Sequence, residues 1–157
     1  MEGVELRGLT TDEVWNHAKR LWRWQCDEGT QAYTLGGKIP SWDEHVAWLE
    51  RKLTDDGCSF YLITSSRAPS GVIRLDREAD GYFRVSIVVA PDSRGRGIGA
   101  DALRRIGELG FRLRAQVSAA NEASHAAFQR AGYTRVGEEL YESARGSSET
   151  LDVTPRD

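Results

Sequence analysis

Three glycines within five residues, Gly95, Gly97 and Gly99, constrain the fold of this chain more than any other feature. Alternating apolar residues up to Val89 predict a strand before them, and helical spacing from Ile98 onward predicts a helix after them. Glycine lets the backbone turn sharply and approach a ligand closely. Backbone N–H groups at such a turn, beside the partial positive charge of a helix N-terminus, favour a pyrophosphate-binding site.

The residues alone allow other interpretations of this turn. It could be an ordinary tight turn with solvated arginines, although the six arginines of residues 94–114, against only Asp101 and Glu108, also suit a phosphorylated ligand. The dinucleotide pattern G-x-G-x-x-G/A is formally present at residues 95–100. Residues 91–94 separate it from the strand, however, and no acidic residue ends the next strand. No Gly-Lys-Ser/Thr follows, which excludes a Walker-type loop.

Periodicity predicts the elements around the turn. Capping boxes at residues 10–13 and 41–44 predict helices over 11–24 and from 42 to about 57. Alternation predicts an antiparallel meander of strands at 59–65, 72–77 and 82–89. Beyond the turn we expect a helix over 98–110, a strand over 112–117, a helix over 121–131 and a strand over 133–136. The resulting order, βααβββαβαβ, predicts an α/β (α+β) domain with a mixed sheet and about four helices.

Size and composition bound the possible classes. A chain of 157 residues with 39% hydrophobic residues fits one domain, predicted over 1–145 with a weakly ordered tail at 146–157. A net charge of −3 argues against nucleic-acid or membrane partners. No apolar run approaches the ~20 residues that a membrane span needs, and the N-terminus lacks the pattern of a signal peptide, so a cytoplasmic protein is expected. Cys26 and Cys58 are predicted to be free thiols, and the three histidines lack metal-ligand spacing, so no metal is implied.

Two motifs in this chain resemble those of the GNAT superfamily of acyl-CoA-dependent N-acyltransferases. Residues 87–99 are similar to its central motif, R/Q-x-x-G-x-G/A after a strand, and residues 121–124 with Phe128 and residues 131–133 are similar to its second motif. The resemblance implies a GNAT-like, mostly antiparallel twisted sheet and acetyl-CoA, or a close acyl-CoA relative, as cosubstrate. It places the pyrophosphate on backbone amides of the glycine turn and the pantetheine along the preceding strand. The cofactor-binding residues that it implies are Ile87, Val88, Val89, Arg94, Gly95, Arg96, Gly97, Ile98, Gly99, Ala100, Asn121 and Ser124. Asn121 could equally be a helix N-cap, and the two roles are compatible.

The family's usual proton-transfer residues are absent from the matching positions. Where relatives often carry a tyrosine acid this chain has Phe128, and where some carry a glutamate base it has Gln116. Candidate substitutes are Ser124 and His125 on the fourth predicted helix, and Asp76 or Arg84 on the central strands. We predict that Phe128 marks a real departure in proton transfer; the alternative is that it only packs in the core. A backbone N–H near Val89 is expected to stabilise the developing oxyanion.

The acceptor is predicted from a second resemblance. Residues 24–27 and 39–49 are similar to the front end of GNAT members that acetylate nucleotide-linked amino sugars, although those relatives tend to have Arg-Asn at Gln25-Cys26 and an arginine near Gln31. The expected acceptor is therefore a primary amine of a small molecule, such as a nucleotide-linked amino sugar. The alternatives are a protein or peptide amine, and a non-catalytic CoA-binding module. An exposed edge strand at 133–136 suggests a homodimer.

Overall fold

The computed structural model describes residues 3–31 and 38–143, so the predicted tail at 146–157 lies outside the described residues. Its strands are β1 (Val4–Gly8), β2 (Cys58–Ser65), β3 (Ala68–Arg77), β4 (Phe83–Val89), β5 (Leu113–Gln116), β6 (Thr134–Arg135) and β7 (Leu140–Glu142). Its helices are α1 (Thr11–Asn16), α2 (Ala18–Cys26), α3 (Glu28–Gln31), α4 (Trp42–Leu53), α5 (Ile98–Gly107) and α6 (Glu122–Arg130). None of the helices in these ranges has the length and apolar character needed to cross a membrane.

The strands form one sheet of seven strands in the order β1-β2-β3-β4-β5-β7-β6. Strands β4 and β5 run parallel, and every other neighbouring pair is antiparallel. The predicted mixed, mostly antiparallel sheet is confirmed. The short strand β6 lies at one edge of the sheet, as the sequence predicted for residues 133–136.

The two capping boxes form as predicted. The Thr10 and Ser41 hydroxyls accept from the N–H groups of Glu13 and Glu44, and both glutamate side chains accept from the N-cap backbone in return. Each pair satisfies two N–H groups that a helix N-terminus would otherwise leave unbonded, so the start of each helix is set locally.

The predicted list of elements was incomplete: helix α3 and strand β7 were not predicted, and the predicted first helix is divided in two. The helix expected over 11–24 is two helices, because His17, with φ −99° and ψ 2°, interrupts it. The buried residues Val14, Ala18 and Leu21 keep helical spacing across the break, so periodicity could not reveal it. The sequence also did not predict β7, whose three residues are too few to show a period.

The sheet separates two apolar cores. Helices α5 and α6 cover one face, which includes Ile73, Leu75 and the fully buried Tyr141. Helices α1, α2 and α4 supply most of the other core, together with Leu62 of β2. Of the five tryptophans, Trp24 belongs to this second core, and three more, Trp15, Trp42 and Trp48, pack against it. The two cores hold β4 between layers and so set the position of its carboxyl end, from which residues 90–94 lead to the glycine turn.

Candidate active site

The glycine turn adopts the sharply turned backbone conformation that its sequence predicts. Gly95 and Gly97 have φ of +78° and +77°, in the left-handed region that other residues rarely adopt. Gly97 is the N-cap of α5 and provides no side-chain cap. The first-turn N–H groups of α5 are therefore left to an outside acceptor, beside the positive end of a ten-residue helix. This arrangement suits a pyrophosphate.

Arg94 connects the turn to the front helices. Its guanidinium donates to the Asp27 carboxylate (2.9 Å) and to the Thr30 hydroxyl (2.8 Å). The hydrogen bond from Arg94 is the main cause that lowers the pKa of Asp27. The predicted cofactor contact of Arg94 must then come from its backbone or from exchange of these partners. Sequence reasoning missed this pair, because residues 67 positions apart carry no local signal of contact.

Strands β4 and β5 pair briefly and then part. The parallel ladder joins Phe83 to Leu113 and Arg84 to Arg114, and within the described strands no later residue of β4 pairs with β5. On its other side β4 stays paired with β3 to its end. The sheet therefore opens into a cleft along residues 85–89.

Backbone hydrogen bonds show which residues of β4 face this cleft. The N–H of Phe83 donates to the Arg112 carbonyl on the β5 side (2.8 Å). Because successive residues of a paired strand direct their backbone groups to opposite edges, Ile87 and Val89 also face the β5 side, whereas Val88 bonds to β3. An extended ligand could add to this edge as a further strand does.

Helix α6 follows β5, the strand on the far side of the cleft. Its N-cap is Asn121, whose Oδ1 accepts from the Ser124 N–H at 3.1 Å, so the capping interpretation of Asn121 is confirmed. Ser124 is half-buried in the first turn of α6. The same turn brings His125 beneath the loop that follows β5.

A family model described as acetyltransferase (GNAT) domain matches residues 4–134. That range includes the glycine turn, both strands of the cleft and helix α6. The chain belongs to the GNAT acetyltransferase family.

Solved structures support the GNAT fold. An acetyltransferase from Thermus thermophilus is 23% identical, with 90% of this chain and 97% of that chain covered and a TM-score of 0.68. Aminoglycoside acetyltransferase AAC(6')-Ib in complex with coenzyme A and kanamycin is 16% identical, with 88% and 91% covered and a TM-score of 0.72. Spermidine N-acetyltransferase from Vibrio cholerae, in complex with CoA and spermine, is 13% identical, with 88% and 92% covered and a TM-score of 0.72. No curated protein matches the chain in sequence.

Within the GNAT domain, His125 is occupied by internal partners. Its Nε2 lies 3.0 Å from the Ser118 carbonyl oxygen, and its Nδ1 lies 2.6 Å from the Tyr141 hydroxyl. A carbonyl oxygen only accepts, so Nε2 carries the proton and Nδ1 accepts from Tyr141. This geometry gives His125 a structural part in fixing the loop after β5. Tyr141, which the sequence reasoning missed, lies on the strand too short to predict.

Phe128, at the usual tyrosine position of the family, is a core residue. It is 2% exposed, its ring stacks on Tyr141 with centroids 5.4 Å apart, and it meets Tyr133 edge-on at 5.0 Å. Gln116, at the glutamate position, is exposed on β5 opposite Leu140. The surroundings of Phe128 therefore favour the packing alternative over a departure in proton transfer.

The charged candidates on the central strands are also paired. Asp76 accepts from Lys52 Nζ (2.9 Å) at one oxygen and from Arg74 Nε (2.6 Å) at the other. Burial raises the pKa of Asp76, but Arg74 and Lys52 outweigh it and leave that pKa below its ordinary value. Arg84 donates to Glu78 at 3.2 Å. A carboxylate held in this way is a weak base near neutral pH.

The cysteines are free, as predicted, and neither is suited to ionise. Burial, reinforced by the neighbouring Asp76, raises the pKa of the Cys58 thiol to about 12, and burial also raises the pKa of Cys26. Within residues 3–31 and 38–143, no group of three or more histidine, cysteine or acidic residues could hold a metal ion.

Proposed function

We propose that this GNAT domain transfers an acetyl group from acetyl-CoA to a primary amine of a small molecule. The observation that carries the proposal is the junction of two features at the end of β4: a cleft with an unpaired strand edge, and an uncapped helix N-terminus behind two left-handed glycines. The first suits the amide-bearing pantetheine and the second suits the pyrophosphate.

The residues at this junction have separable tasks in the proposed reaction. The amides from Gly95 to Ala100 bind the pyrophosphate, and the backbones of Ile87 and Val89 hold the pantetheine. Acetyl-CoA, when bound, supplies an activated acetyl group as a thioester. The Val89 N–H faces the cleft, where it can donate to an oxygen that gains negative charge during transfer. Asn121 and Ser124 line the opposite wall, and Ser124 is our candidate for a hydrogen bond to the leaving sulfur.

Proton removal from the acceptor is the step for which the described side chains are least equipped. The nitrogen that forms the new bond to the acetyl carbon must lose a proton as the carbon–sulfur bond breaks. Asp76 is held by two cations, and both ring nitrogens of His125 are bonded. A thiol pKa of ~8.5 lets the sulfur leave as thiolate, whereas a lysine-like amine with a pKa of ~10.4 arrives largely protonated. An acceptor of lower basicity, such as an amino sugar, is therefore favoured.

Two measurements test the proposal. Calorimetry should detect acetyl-CoA binding, and thiol release should rise above the rate of acetyl-CoA hydrolysis when the acceptor amine is added from a panel. Binding without turnover on any amine would favour the alternative of a non-catalytic CoA-binding module. The internal hydrogen bonds of His125 and Asp76 are consistent with that alternative, because they leave neither side chain available as a base. Absence of acetyl-CoA binding would contradict both. The predicted homodimer and cytoplasmic location stay predictions, and light scattering at micromolar concentration tests the first.

A further inference from the structure

A polar cluster lies on the sheet face opposite helices α5 and α6, beside the cleft. Arg74 of β3 and Ser86 of β4 are register partners, and the Arg74 Nη2 lies 3.3 Å from the Ser86 hydroxyl oxygen. Ser86 lies two residues before Val88, so both point to the same face, the one that α1, α2 and α4 cover in part. The cluster, which we define as Lys52, Arg74 and Asp76, thus adjoins the strand that borders the cleft.

The cluster carries one positive charge in excess. Two cations share the single carboxylate of Asp76, one at each oxygen. The side chains are sheltered from water, with exposed fractions of 27% for Lys52, 22% for Arg74 and 18% for Asp76. A partly buried charge is screened less than one on the open surface, so the excess charge attracts a nearby anion more strongly than an exposed charge would.

The arrangement holds Arg74 firmly while leaving donors on its guanidinium. Its side chain lies over the ring of Trp48, with the guanidinium carbon 4.9 Å from the ring centroid. Asp76 and Ser86 take one N–H group each, from Nε and Nη2, out of the five that a guanidinium carries. A planar, pre-oriented guanidinium is the group best suited to bind a phosphate or carboxylate through two hydrogen bonds.

The carboxylates between β3 and β4 are also paired. Arg84 pairs with Glu78, and Arg114 pairs with both Glu78 and Asp80. Each of the three carboxylates on this stretch, Asp76 included, therefore already has a cationic partner. A polycationic acceptor would have to break these pairs, whereas an anionic group meets an uncompensated charge.

We propose that the acceptor amine carries an anionic group, a phosphate or a carboxylate, which binds Arg74 and Lys52 while the amine reaches the cleft. The inference rests on the proposed function and narrows its substrate class. Asp76 is in this proposal a positioning residue that keeps Arg74 in place, and not the base of the reaction.

Matched ligands on the CoA-saturated protein test the charge preference. Glucosamine 6-phosphate against glucosamine differs by a phosphate, and glycine against glycinamide differs by a carboxylate. Calorimetry should show at least one anionic member binding about tenfold to a hundredfold tighter than its neutral partner. Spermidine should bind more weakly than that anionic member. If neither anionic member is preferred, or if spermidine binds best, the proposal is overturned.

Three variants assign the preference to the cluster. Arg74→Gln should lose the preference, because the Kd for the anionic member rises toward that for the neutral member. Lys52→Gln should reduce it too, and serves as the second variant if Arg74→Gln fails to fold. Arg51→Gln removes the same charge from an exposed position on the same helix as Lys52 and should retain the preference. Retention of the full preference in both cluster variants would overturn the assignment.

The acetyl-CoA titration separates this inference from the proposed function. If acetyl-CoA fails to bind, the proposed function fails, and the same ligand pairs titrated into the protein alone still measure the anion preference. If acetyl-CoA binds and neutral amines are acetylated as well as anionic ones, the function stands and the inference fails.

Discussion

Gly71 on β3 controls how closely β4 can lie against β3 at the cleft. It is buried and pairs with Val89. A Cβ at this position would lie 2.5 Å from the Val88 carbonyl oxygen, 3.1 Å from Ile63 Cδ1 and 3.2 Å from Val89 Cα. Ordinary van der Waals contact begins at 3.4 Å, so Gly71→Ala requires the β4 backbone to move by about 0.9 Å.

The cost of that movement can be estimated. Overpacking a buried site lowers the free energy of unfolding by about 1–3 kcal/mol. At about 2–4 °C per kcal/mol for a domain of this size, the Tm of Gly71→Ala should fall by roughly 2–12 °C. The moved atoms include Val89, whose N–H faces the cleft. Since a misplacement of about 1 Å can cost ~10²-fold in rate, acetyl transfer should fall more than stability alone explains.

Urea unfolding and thiol release, measured at a temperature where both proteins are folded, check this prediction. Gly107→Ala, at the end of α5, is the matched control, because its Cβ would meet nothing closer than the Tyr133 hydroxyl at 3.8 Å. That variant should be as stable as the wild type, or up to about 1 kcal/mol more stable, with unchanged turnover. If Gly71→Ala unfolds and turns over like the wild type, the close approach at Val88 does not constrain the cleft.

Three further predictions concern the turn, the core and pH. Gly97→Val should abolish acetyl-CoA binding in calorimetry, because valine resists a φ of +77° and its side chain would cover the amides. Arg112→Ala, next to the end of β5 that lies away from the turn, should bind acetyl-CoA normally. If Gly97→Val binds acetyl-CoA as tightly as Arg112→Ala does, the pyrophosphate assignment is refuted. Phe128→Tyr should leave turnover unchanged and lower stability by ~1–3 kcal/mol, since the added hydroxyl enters a site that is 2% exposed; increased turnover in thiol release would instead revive the acid hypothesis. Burial is the main cause that lowers the pKa of His45, although its hydrogen bond to the Ala18 carbonyl opposes this. Below pH ~6.5 the unfolded chain therefore binds a proton at His45 more readily than the folded protein does. The free energy of unfolding should decrease as the pH is lowered through this range. His45→Gln should flatten that slope in urea unfolding, and an unchanged slope would show that His45 contributes nothing to it.

The local features of this protein were predictable because local chemistry causes them. The capping boxes at Thr10 and Ser41 formed, the glycine turn adopted left-handed conformations, and Asn121 capped α6. In each case the interacting groups lie within a few residues, so spacing along the chain is a measure of distance in space. The GNAT motifs are of this kind, which is why the family could be recognised from them.

The roles of the candidate catalytic side chains depended on contacts that spacing does not encode. His125 became an internally bonded residue through Tyr141, which is 16 positions away on a strand too short to predict. Asp76 is a poor candidate for a base because its carboxylate is paired with Lys52, which lies 24 positions earlier on a helix. The packing role of Phe128 became visible only from its burial in the folded protein, and not from its place in the motif.

The sequence by itself determined where the glycine turn lies and which conformation it adopts, because glycine conformation and helix-end charge are properties of a few adjacent residues. The tertiary structure alone decided where β4 and β5 part, because the ladder ends after Arg84 and Arg114 and no local pattern in either strand marks that point. It also decided which charges remain uncompensated. The net positive charge of Arg74, Lys52 and Asp76 arises only when helix α4 packs against strand β3 and brings Lys52 to the other two. Charge balance at a site is a property of three-dimensional neighbours, and a linear sequence does not record it.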